Sequence, residues 1–488
     1  MDPTVLLENI LSFAEKAVWG LPTLILLVGI GLYFSVRTHF FQFRAFFPML
    51  KHTMGGILAP AKNKETSSSE NATVTPFQSL CTALSATIGT GNIAGVAYAM
   101  LLGGAGAVFW MWIAAFIGMI LKYAECVLAV QFRVKTPYGV RGGAMYYLEQ
   151  IPFQSGKIGR ICALVFSFSA VAASFGMGNM SQVAAMKESL WSVVKVSVPE
   201  KTCAWVIGIA VCIAVALVLC GGMKRIASAN ERLVPFMAVF YTVGSLIILL
   251  FHADRILPAL GDILAGAFSF SGVFHGFSGY ALMRSVSLGF KRGIFSNEAG
   301  LGSSAVIHAA SSETTPYKQG YWGIFEVFFD TCFICTLTAL VLLVTGVLEK
   351  TPAAMPEDAG FSLAGQAFAD VFGRFGNLFV ALAVTFFAFS SILGWSFYGM
   401  RAWEYLFGEK STALYKILFA AAALPGALWS ADTVLRISDV FNGCMALPNL
   451  VGLLVLSETV ISLTPDRNKH PFSSVSAQND FHKAPENA

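Results

Sequence analysis

The sequence predicts an all-α polytopic membrane protein with eleven transmembrane helices, ten of them forming two inverted five-helix repeats. The composition indicates a membrane setting, because 56% of the 488 residues are hydrophobic and only 12% are charged, against about 25% charged in soluble domains. Apolar runs of about 20 residues, the length that crosses a bilayer, recur along the chain. Glycines and small polar residues interrupt two of these runs, which is typical of broken helices.

One predicted span precedes the repeats. It lies near residues 18–36, within an N-terminal segment 1–60 that ends on the cytoplasmic side, and a polar linker follows at 61–75. The ten further spans lie near 77–102, 107–132, 159–186, 203–220, 233–252, 282–309, 321–347, 375–400, 412–429 and 438–463. We therefore assign a first repeat, an interfacial connection, a second repeat and a disordered cytoplasmic tail to residues 76–255, 256–281, 282–464 and 465–488.

Basic residues indicate which side of the membrane each loop faces. Lysines and arginines cluster after the first and third spans, at Arg37, Arg44, Lys51, Arg133 and Lys135. Cytoplasmic loops carry such an excess, so we expect the N-terminus outside and the C-terminal tail in the cytoplasm. The spans at 77–102 and 282–309 then start from opposite sides of the membrane, as an inverted repeat requires.

The first predicted break is the run TIGTGN at 87–92. No Asp, Glu, Lys or Arg occurs from Asn71 to Leu121, so the break lies inside an apolar segment. Irregular backbone at membrane depth is tolerated only where protein buries it or where it lines a cavity, and secondary transporters use such breaks as substrate and ion sites. Its glycines could instead form a small-residue packing surface, but Thr90, Asn92 and a second break favour a site.

The second predicted break is the run GIFSNEAGLGSS at 293–304. Glu298 lies within it, and an intramembrane carboxylate is a functional candidate by default. It could compensate a cation, relay a proton or pair with Arg292, and a purely structural ion pair is an equal alternative. Arg284 and Lys291 do not fit the charge rule, so either the span begins later than drawn or these charges line an aqueous vestibule.

Seven blocks of the sequence resemble the alanine or glycine:cation symporter family, the sodium:alanine symporters. The blocks are TALSATIGTGNIAGVA (82–97), FWMW (109–112), GGMKRIA (221–227), RGIFSNEAGLGS (292–303), WGIFEVFFDT (322–331), SILGWSFYG (391–399) and MALPNL (445–450). They follow the family's order over roughly residues 70–460. The resemblance implies a leucine-transporter-type fold and import of a small neutral amino acid, such as alanine or glycine, with sodium or sometimes protons by alternating access. It also implies the plasma membrane, which in a bacterium is the inner membrane.

An amino acid presents a carboxylate and an ammonium, and the two breaks offer groups for both. The N–H groups at Gly91 and Asn92 begin the second half-helix and form an anion site for the carboxylate. In the second break Phe295 could cap a small pocket, while Ser296 and Asn297 face the ammonium. With two residues that the resemblance adds, the predicted substrate site is Thr90, Gly91, Asn92, Asn179, Phe295, Ser296, Asn297 and Trp395.

The predicted sodium ligands lie at the end of the first half-helix. Carbonyls freed by the break can coordinate a cation together with the side chains of Thr87 and Asn92, and the resemblance adds a serine pair from the ninth span. The predicted set is Ser85, Thr87, Ile88, Asn92, Ser390 and Ser391. Glu298 and Arg292 are assigned to gating or charge compensation.

Several of these residues have an ordinary structural alternative. The hydroxyls of Ser390 and Ser391 could bond the preceding turn of their own helix, and Asn179 could make an interhelical hydrogen bond. We interpret Asp330 and Asp439 as structural carboxylates. His308 is interpreted in the same way, as a packed residue.

The sequence also argues against other classes of protein. It contains no G-x-x-x-x-G-K-[ST] motif, so we expect no nucleotide, no nucleic acid and no cofactor beyond the co-transported ion. A channel is disfavoured because two half-helix breaks build an occluded site rather than a continuous ring of carbonyls. A membrane-embedded enzyme would need clustered histidines or carboxylates, and only 7 histidines occur. Proton coupling in place of sodium remains the alternative, and the oligomeric state is open.

Overall fold

The computed structural model describes residues 13–14, 18–58, 74–136, 139–194, 198–268, 277–351, 359–429 and 431–465. These residues are almost entirely helical, with one antiparallel hairpin formed by β1 (Val134–Thr136) and β2 (Gly139–Arg141). Most of the predicted linker at 61–75 and the predicted tail beyond Pro465 lie outside the described residues.

The first half of the chain contains eleven of the helices in the described part. In order they are α1 (Leu21–Arg37), α2 (Phe41–Arg44), α3 (Phe46–Leu58), α4 (Pro76–Thr87), α5 (Ala94–Gly103), α6 (Gly106–Gln131), α7 (Ala144–Leu148), α8 (Lys157–Phe175), α9 (Ser181–Val194), α10 (Glu200–Cys220) and α11 (Gly222–Phe251). Between α8 and α9 the helix continues through a π-helical turn at Gly176–Met180.

The second half follows the same all-helical plan. Its helices are α12 (Ala253–Ala267), α13 (Phe277–Asn297), α14 (Ala305–Ala309), α15 (Pro316–Val327), α16 (Thr336–Val344), α17 (Ala359–Phe372), α18 (Phe375–Phe407), α19 (Thr412–Ala421), α20 (Ala423–Leu428), α21 (Ala431–Val455) and α22 (Ser457–Leu463). A second π-helical stretch, Phe328–Cys335, joins α15 to α16.

Within the described part, eight helical segments are long and apolar enough to cross a membrane. The bent pair Pro76–Thr87 and Thr90–Gly103, at an angle of 62°, makes a ninth. Of the remaining predicted spans, α1 is apolar but shorter and α13 carries three basic residues, Arg284, Lys291 and Arg292. The multi-span membrane architecture is confirmed, whereas the count of eleven and the pairing into two repeats stay predictions.

Helix α10 illustrates how the outer helices suit a lipid environment. Ile207, Val211 and Val215 are buried on one face, while Ile209 and Ile213 are exposed on the other. A helix that is apolar all round belongs in a protein core or in a membrane. Because one face of α10 lies outside the core, that face is matched to hydrocarbon rather than to water.

Helix α6 forms the centre of the molecule, with 89% of its most apolar window buried. It packs against α1, α13 and α15. The packing against α13 depends on glycine, because a Cβ on Gly289 would lie 2.5 Å from the Ala107 carbonyl oxygen and one on Gly293 would lie 2.9 Å from the Ala114 Cβ. The end of α13, where the second break begins, is therefore held against the central helix.

Candidate substrate and cation site

The first predicted break is present. Helix α4 begins with a capping box in which the Thr75 hydroxyl accepts a hydrogen bond from the Gln78 N–H, and it ends at Thr87. Ile88 has ψ 93° and Gly89 is extended, with φ −131° and ψ −156°. A short 3-10 turn over Thr90–Asn92 precedes α5. Two half-helices therefore meet end to end inside the protein.

The second predicted break is present as well. Helix α13 ends at Asn297, and Glu298, Gly300 and Gly302 follow with φ values of 53°, 87° and 76°. Left-handed backbone suits glycine, which has no Cβ to clash, and Glu298 is held there against its intrinsic preference. The side-chain oxygen of Asn297 accepts the Ala299 N–H at 3.0 Å, which supplies an acceptor for the freed backbone.

The breaks meet through the side chain of Asn92, which is fully buried. Its Oδ1 accepts the Gly89 N–H at 2.9 Å and so closes the turn of the first break. Its Nδ2 lies 2.7 Å from Asp330 Oδ1 and 3.1 Å from the Ser296 Oγ at the end of α13. One amide thus joins the first break, the second broken helix and the π-helical stretch that carries Asp330.

Asp330 is a buried carboxylate at the centre of this contact. In addition to Asn92, the hydroxyls of Ser296 and Thr331 donate to its Oδ2, each at 2.8 Å. The Asn297 amide donates in turn to the Thr331 hydroxyl at 3.2 Å. Three donors stabilise a negative charge in this position, and π-helical turns of this kind are frequent at functional sites.

Thr90 and Gly91 form the more open side of the first break. The Thr90 hydroxyl, which is half-buried, lies 3.3 Å from Gln182 Oε1. Among the described residues, no atom lies within 4 Å of a Cβ added at Gly91. There is therefore open space at the start of the second half-helix, and the role of Gly91 in binding a carboxylate stays a prediction.

Helix α18 packs tightly on the end of the first half-helix. A Cβ on Gly394 would lie 2.5 Å from the Ser85 Oγ, and the Ser391 hydroxyl lies 3.4 Å from the Ala86 carbonyl oxygen. Ser390 differs, because its hydroxyl donates to the Phe387 carbonyl one turn earlier at 2.9 Å. Ser391 therefore lies at the break, whereas the Ser390 hydroxyl bonds the preceding turn of its own helix.

The other predicted sodium ligands bond within α4. The hydroxyl of Ser85 donates to the Thr82 carbonyl oxygen at 2.7 Å and accepts from Asn230 Nδ2 at 2.9 Å. The Thr87 hydroxyl lies 3.3 Å from the Ala83 carbonyl oxygen. Ile88 is fully buried and ends the helix in extended conformation.

The predicted pocket-wall residues occupy different surroundings. Asn179 lies in the π-helical turn of the fourth span, and its Nδ2 donates to the Phe419 carbonyl oxygen at 2.5 Å, which is the interhelical alternative. Trp395 is fully buried against Gly178, where an added Cβ would lie 2.3 Å from the Trp395 Cβ. Phe295 is half-buried, one residue before Ser296.

Arg292 and Glu298, assigned to gating or charge compensation, each make contacts of their own. The Arg292 guanidinium lies over the Tyr98 ring, 5.4 Å from its centroid. The Glu298 carboxylate accepts the Ser303 hydroxyl at 2.6 Å, and the Lys122 ammonium donates to the Glu298 carbonyl oxygen at 3.2 Å. The role of the two residues in gating or charge compensation stays a prediction.

The sequence did not single out several buried polar residues at or beside this site. Asp330 was assigned a structural role although an intramembrane carboxylate is itself a signal, and the Cys335 thiol, 3.3 Å from Asn92 Nδ2, carries no such signal. Lys122 and Glu125 were missed although they stand three residues apart on α6 and so share one face. His308, expected to be a packed residue, lies 3.1 Å from Glu326 and takes part in a buried polar chain.

Comparison with known proteins identifies the family. The profile of the Sodium:alanine symporter family matches residues 4–479. The chain belongs to this family. It is 42% identical to the sodium/alanine symporter AgcS of Methanococcus maripaludis over 96% of this chain and 98% of that protein. It is also 30% identical to the probable sodium/glutamine symporter GlnT of Bacillus subtilis, over 94% and 91% of the two chains.

The fold agrees with this membership. The crystal structure of MhsT in complex with L-phenylalanine superposes with a TM-score of 0.55 and 13% identity, over 81% of this chain and 99% of that one. At that identity the likeness concerns the fold alone, and it supports the leucine-transporter-type architecture. The chain is therefore a membrane transporter of the sodium-coupled amino-acid symporter class.

Proposed function

We propose that this symporter carries alanine and glycine into the cell together with Na⁺, by alternating access. The observation that carries the proposal is the meeting of both helix breaks at Asn92 and Asp330. The sodium/alanine symporter AgcS of Methanococcus maripaludis aligns with nearly the whole chain. That relative supports alanine over other amino acids.

The cation is proposed to bind where a full negative charge and neutral oxygens lie together. Asp330 supplies the charge and Asn92 an amide oxygen, and a hard cation such as Na⁺ prefers oxygen ligands of these kinds. The carbonyls at Ser85, Thr87 and Ile88 with the hydroxyls of Ser390 and Ser391 are a second group of candidate oxygens. Of the two serines, Ser391 lies nearer the break.

Cation binding at Asn92 would change the shape of the first break. In the structure the amide nitrogen faces Asp330 and the amide oxygen holds the Gly89 N–H. To offer its oxygen to a cation beside Asp330, the amide must turn and release Gly89. We infer that occupancy of the cation site and the conformation of the Gly89–Asn92 turn are linked. The amino-acid site, which shares this turn, is then coupled to the cation site.

The amino acid is proposed to place its carboxylate on the N–H groups at Thr90 and Gly91. Partial positive charge accumulates at the start of a half-helix, and the open space at Gly91 allows close approach. Ser296, Asn297 and Asn179 line the rest of the proposed site. Phe295 and Trp395 would limit the size of the side chain.

Sodium coupling supplies enough free energy for accumulation. One positive charge entering at about 100 mV contributes about 2.3 kcal/mol. At room temperature that corresponds to a gradient of about 50-fold, before any sodium concentration gradient is counted. Glutamine is the second candidate substrate, because GlnT of Bacillus subtilis is also a full-length relative.

Uptake of labelled alanine, glycine and glutamine into proteoliposomes with an inward Na⁺ gradient tests the substrate assignment. We expect saturable uptake of alanine and glycine and little uptake of glutamine. Unlabelled glutamine should then compete poorly with labelled alanine. Faster uptake of glutamine than of alanine, with alanine a weak competitor, would show that the substrate assignment is wrong.

A further inference from the structure

A buried cluster of charged residues lies beside the second break and takes no part in the proposed symport site. At its centre is Lys122 of α6, whose side chain is fully buried. Its ammonium lies 3.3 Å from Glu326 Oε1 and donates to the Ser304 hydroxyl at 3.0 Å and the Glu298 carbonyl oxygen at 3.2 Å. Lys122 and Glu326 therefore form one ion pair.

His308 lies against the second carboxylate oxygen of Glu326. Its Nε2 lies 3.1 Å from Glu326 Oε2, and the Gln319 amide nitrogen lies 2.6 Å from its Nδ1. Glu326 is thus held by Lys122 at one carboxylate oxygen and by His308 at the other.

Two further carboxyl groups share this buried region, and each has one oxygen satisfied and one bare. Glu125 Oε1 accepts the Gly302 N–H at 3.0 Å and the Asn449 amide at 2.8 Å, whereas its Oε2 is buried and makes no hydrogen bond to any described residue. Glu298 Oε2 accepts the Ser303 hydroxyl at 2.6 Å, whereas its Oε1 is buried and has no hydrogen-bond partner in the described part of the chain.

A hydroxyl from a separate helix lies near the same carboxyl groups. Tyr398 of α18 is buried, its hydroxyl has no hydrogen-bond partner among the described residues, and it interacts electrostatically with Glu125, Glu298 and Glu326. The titratable and charged groups that surround the cluster from all the packed helices are Lys122, Glu125, Cys126, Tyr147, Glu298, His308, Glu326, Asp330 and Tyr398.

The charges of this cluster do not balance if every carboxyl is ionised. One ammonium faces three carboxylates, and a buried charge without a partner is strongly unfavourable. A metal ion would need several convergent ligands, and no group of three or more His, Cys, Asp or Glu within the described part of the chain could hold one. The smallest cation, a proton, needs only one bare carboxylate oxygen.

We propose that Glu125 and Glu298 form a proton-binding site beside the Lys122–Glu326 ion pair. A hydronium ion from the solvent transfers its proton to a bare carboxylate oxygen and leaves as water, so that one O–H bond breaks, one forms, the carboxylate becomes a carboxylic acid and no oxidation state changes. The new O–H is a donor. The site goes beyond the proposed symport, since it involves none of the proposed Na⁺ or amino-acid ligands.

Infrared spectroscopy of the purified full-length protein at neutral pH tests this site directly. A protonated buried carboxyl gives a carbonyl stretching band above the amide I band, which shifts down in D₂O. We expect the wild-type protein to show this band. We expect Glu125→Gln or Glu298→Gln to remove all or part of it. Glu404→Gln is the matched control, because Glu404 is ion-paired with Arg141 and Arg401 and should contribute nothing to the band.

The wild-type spectrum alone can overturn the proposal, whether or not the variants fold. Absence of the band would show that Glu125 and Glu298 are both ionised. A band that is equally strong in both glutamine variants would place the proton elsewhere. Loss of the band as the wild-type protein is titrated to alkaline pH supports a titrating carboxyl. None of these readings depends on transport, so failure of the symport proposal would leave this test unaffected.

Discussion

Asn92 closes the turn of the first break and also contacts Asp330, so a single substitution there removes two things at once. Truncating a fully buried amide leaves its former partners unsatisfied, at a cost of about 1–3 kcal/mol. Loss of uptake in such a variant could reflect distorted packing as easily as lost ligands. Substitutions at Asp330, Gly91 and Ser391 therefore give clearer results, because each of these residues has one proposed role.

Asp330→Asn tests the charge at the cation site. The substitution keeps the size and shape of the side chain but removes the negative charge, so we expect Na⁺-driven alanine uptake to fall at least about 10-fold, the loss of roughly 1.4 kcal/mol of cation binding. Proteoliposome uptake across a series of Na⁺ concentrations measures it. Asp370→Asn is the control, because Asp370 is 41% exposed and pairs with His252 at 3.0 Å. Equal activity of both variants would remove Asp330 from the cation site.

Gly91→Ala tests the anion site at the start of the second half-helix. The added Cβ meets no protein atom within 4 Å, so we expect the melting temperature to stay at the wild-type value. The methyl group would stand where the carboxylate approaches, so apparent alanine affinity should fall several-fold or more. Gly29→Ala, also in open space on α1, is the matched control. Unchanged affinity in Gly91→Ala would place the carboxylate elsewhere.

Ser391→Ala tests whether the hydroxyl near the Ala86 carbonyl serves Na⁺. Loss of one coordinating hydroxyl should cost about 1–3 kcal/mol, a weakening of roughly 5- to 150-fold in apparent Na⁺ affinity. Because coupling is reciprocal, alanine affinity should fall at low Na⁺ and recover at high Na⁺.

The control for this change is Ser396→Ala. Ser396 lies on the same helix, and its hydroxyl only bonds the Leu393 carbonyl, at 2.7 Å. If alanine affinity in Ser391→Ala stayed impaired at every Na⁺ concentration, Ser391 would belong to the substrate site instead.

At the scale of elements, the second break depends on glycines that hold left-handed backbone against neighbouring helices. Gly302 has φ 76°, and an added Cβ would lie 2.8 Å from the Asn449 side chain. Gly302→Ala should therefore lower the free energy of unfolding by about 1–2 kcal/mol, because alanine disfavours left-handed backbone. The close contact with Asn449 should lower it further. Thermal unfolding in detergent measures both.

Gly408→Ala separates the two costs. Gly408 has φ 79° but open space around its Cβ position, so only the backbone cost should appear there. We expect Gly302→Ala to lower the melting temperature more than Gly408→Ala does. Equal losses would mean that the second break is not held by packing against Asn449.

The sequence could predict the breaks but not the contacts between them. The run at 87–92 signals its own break locally, through glycines in an uncharged segment, and the structure confirms it. The contact between Asn92 and Asp330 joins residues 238 positions apart, and no local pattern encodes such a pairing. The contact of the Glu298 carboxylate with the Ser303 hydroxyl is of the same kind, since it depends on left-handed backbone at Glu298 that its residue type does not predict.

At the scale of the whole molecule, both halves of the chain converge on the central helix α6 and on the first break. Helices α13 and α15 pack on α6, while α18 packs on the end of α4. Alternating access needs two arrangements of such groups around one site. The Asn92 amide contacts both broken helices. A cation bound there could therefore favour one of the two arrangements over the other.

The central claim is that Na⁺ drives amino-acid uptake through this site. The most direct test is uptake of labelled alanine into proteoliposomes of the wild-type protein, with external Na⁺ replaced by K⁺ at fixed pH and fixed membrane potential. We expect alanine accumulation with Na⁺ and a fall to the level of protein-free liposomes with K⁺. Accumulation that persists in K⁺ and instead follows an imposed pH gradient would contradict sodium coupling and leave a proton as the driving ion.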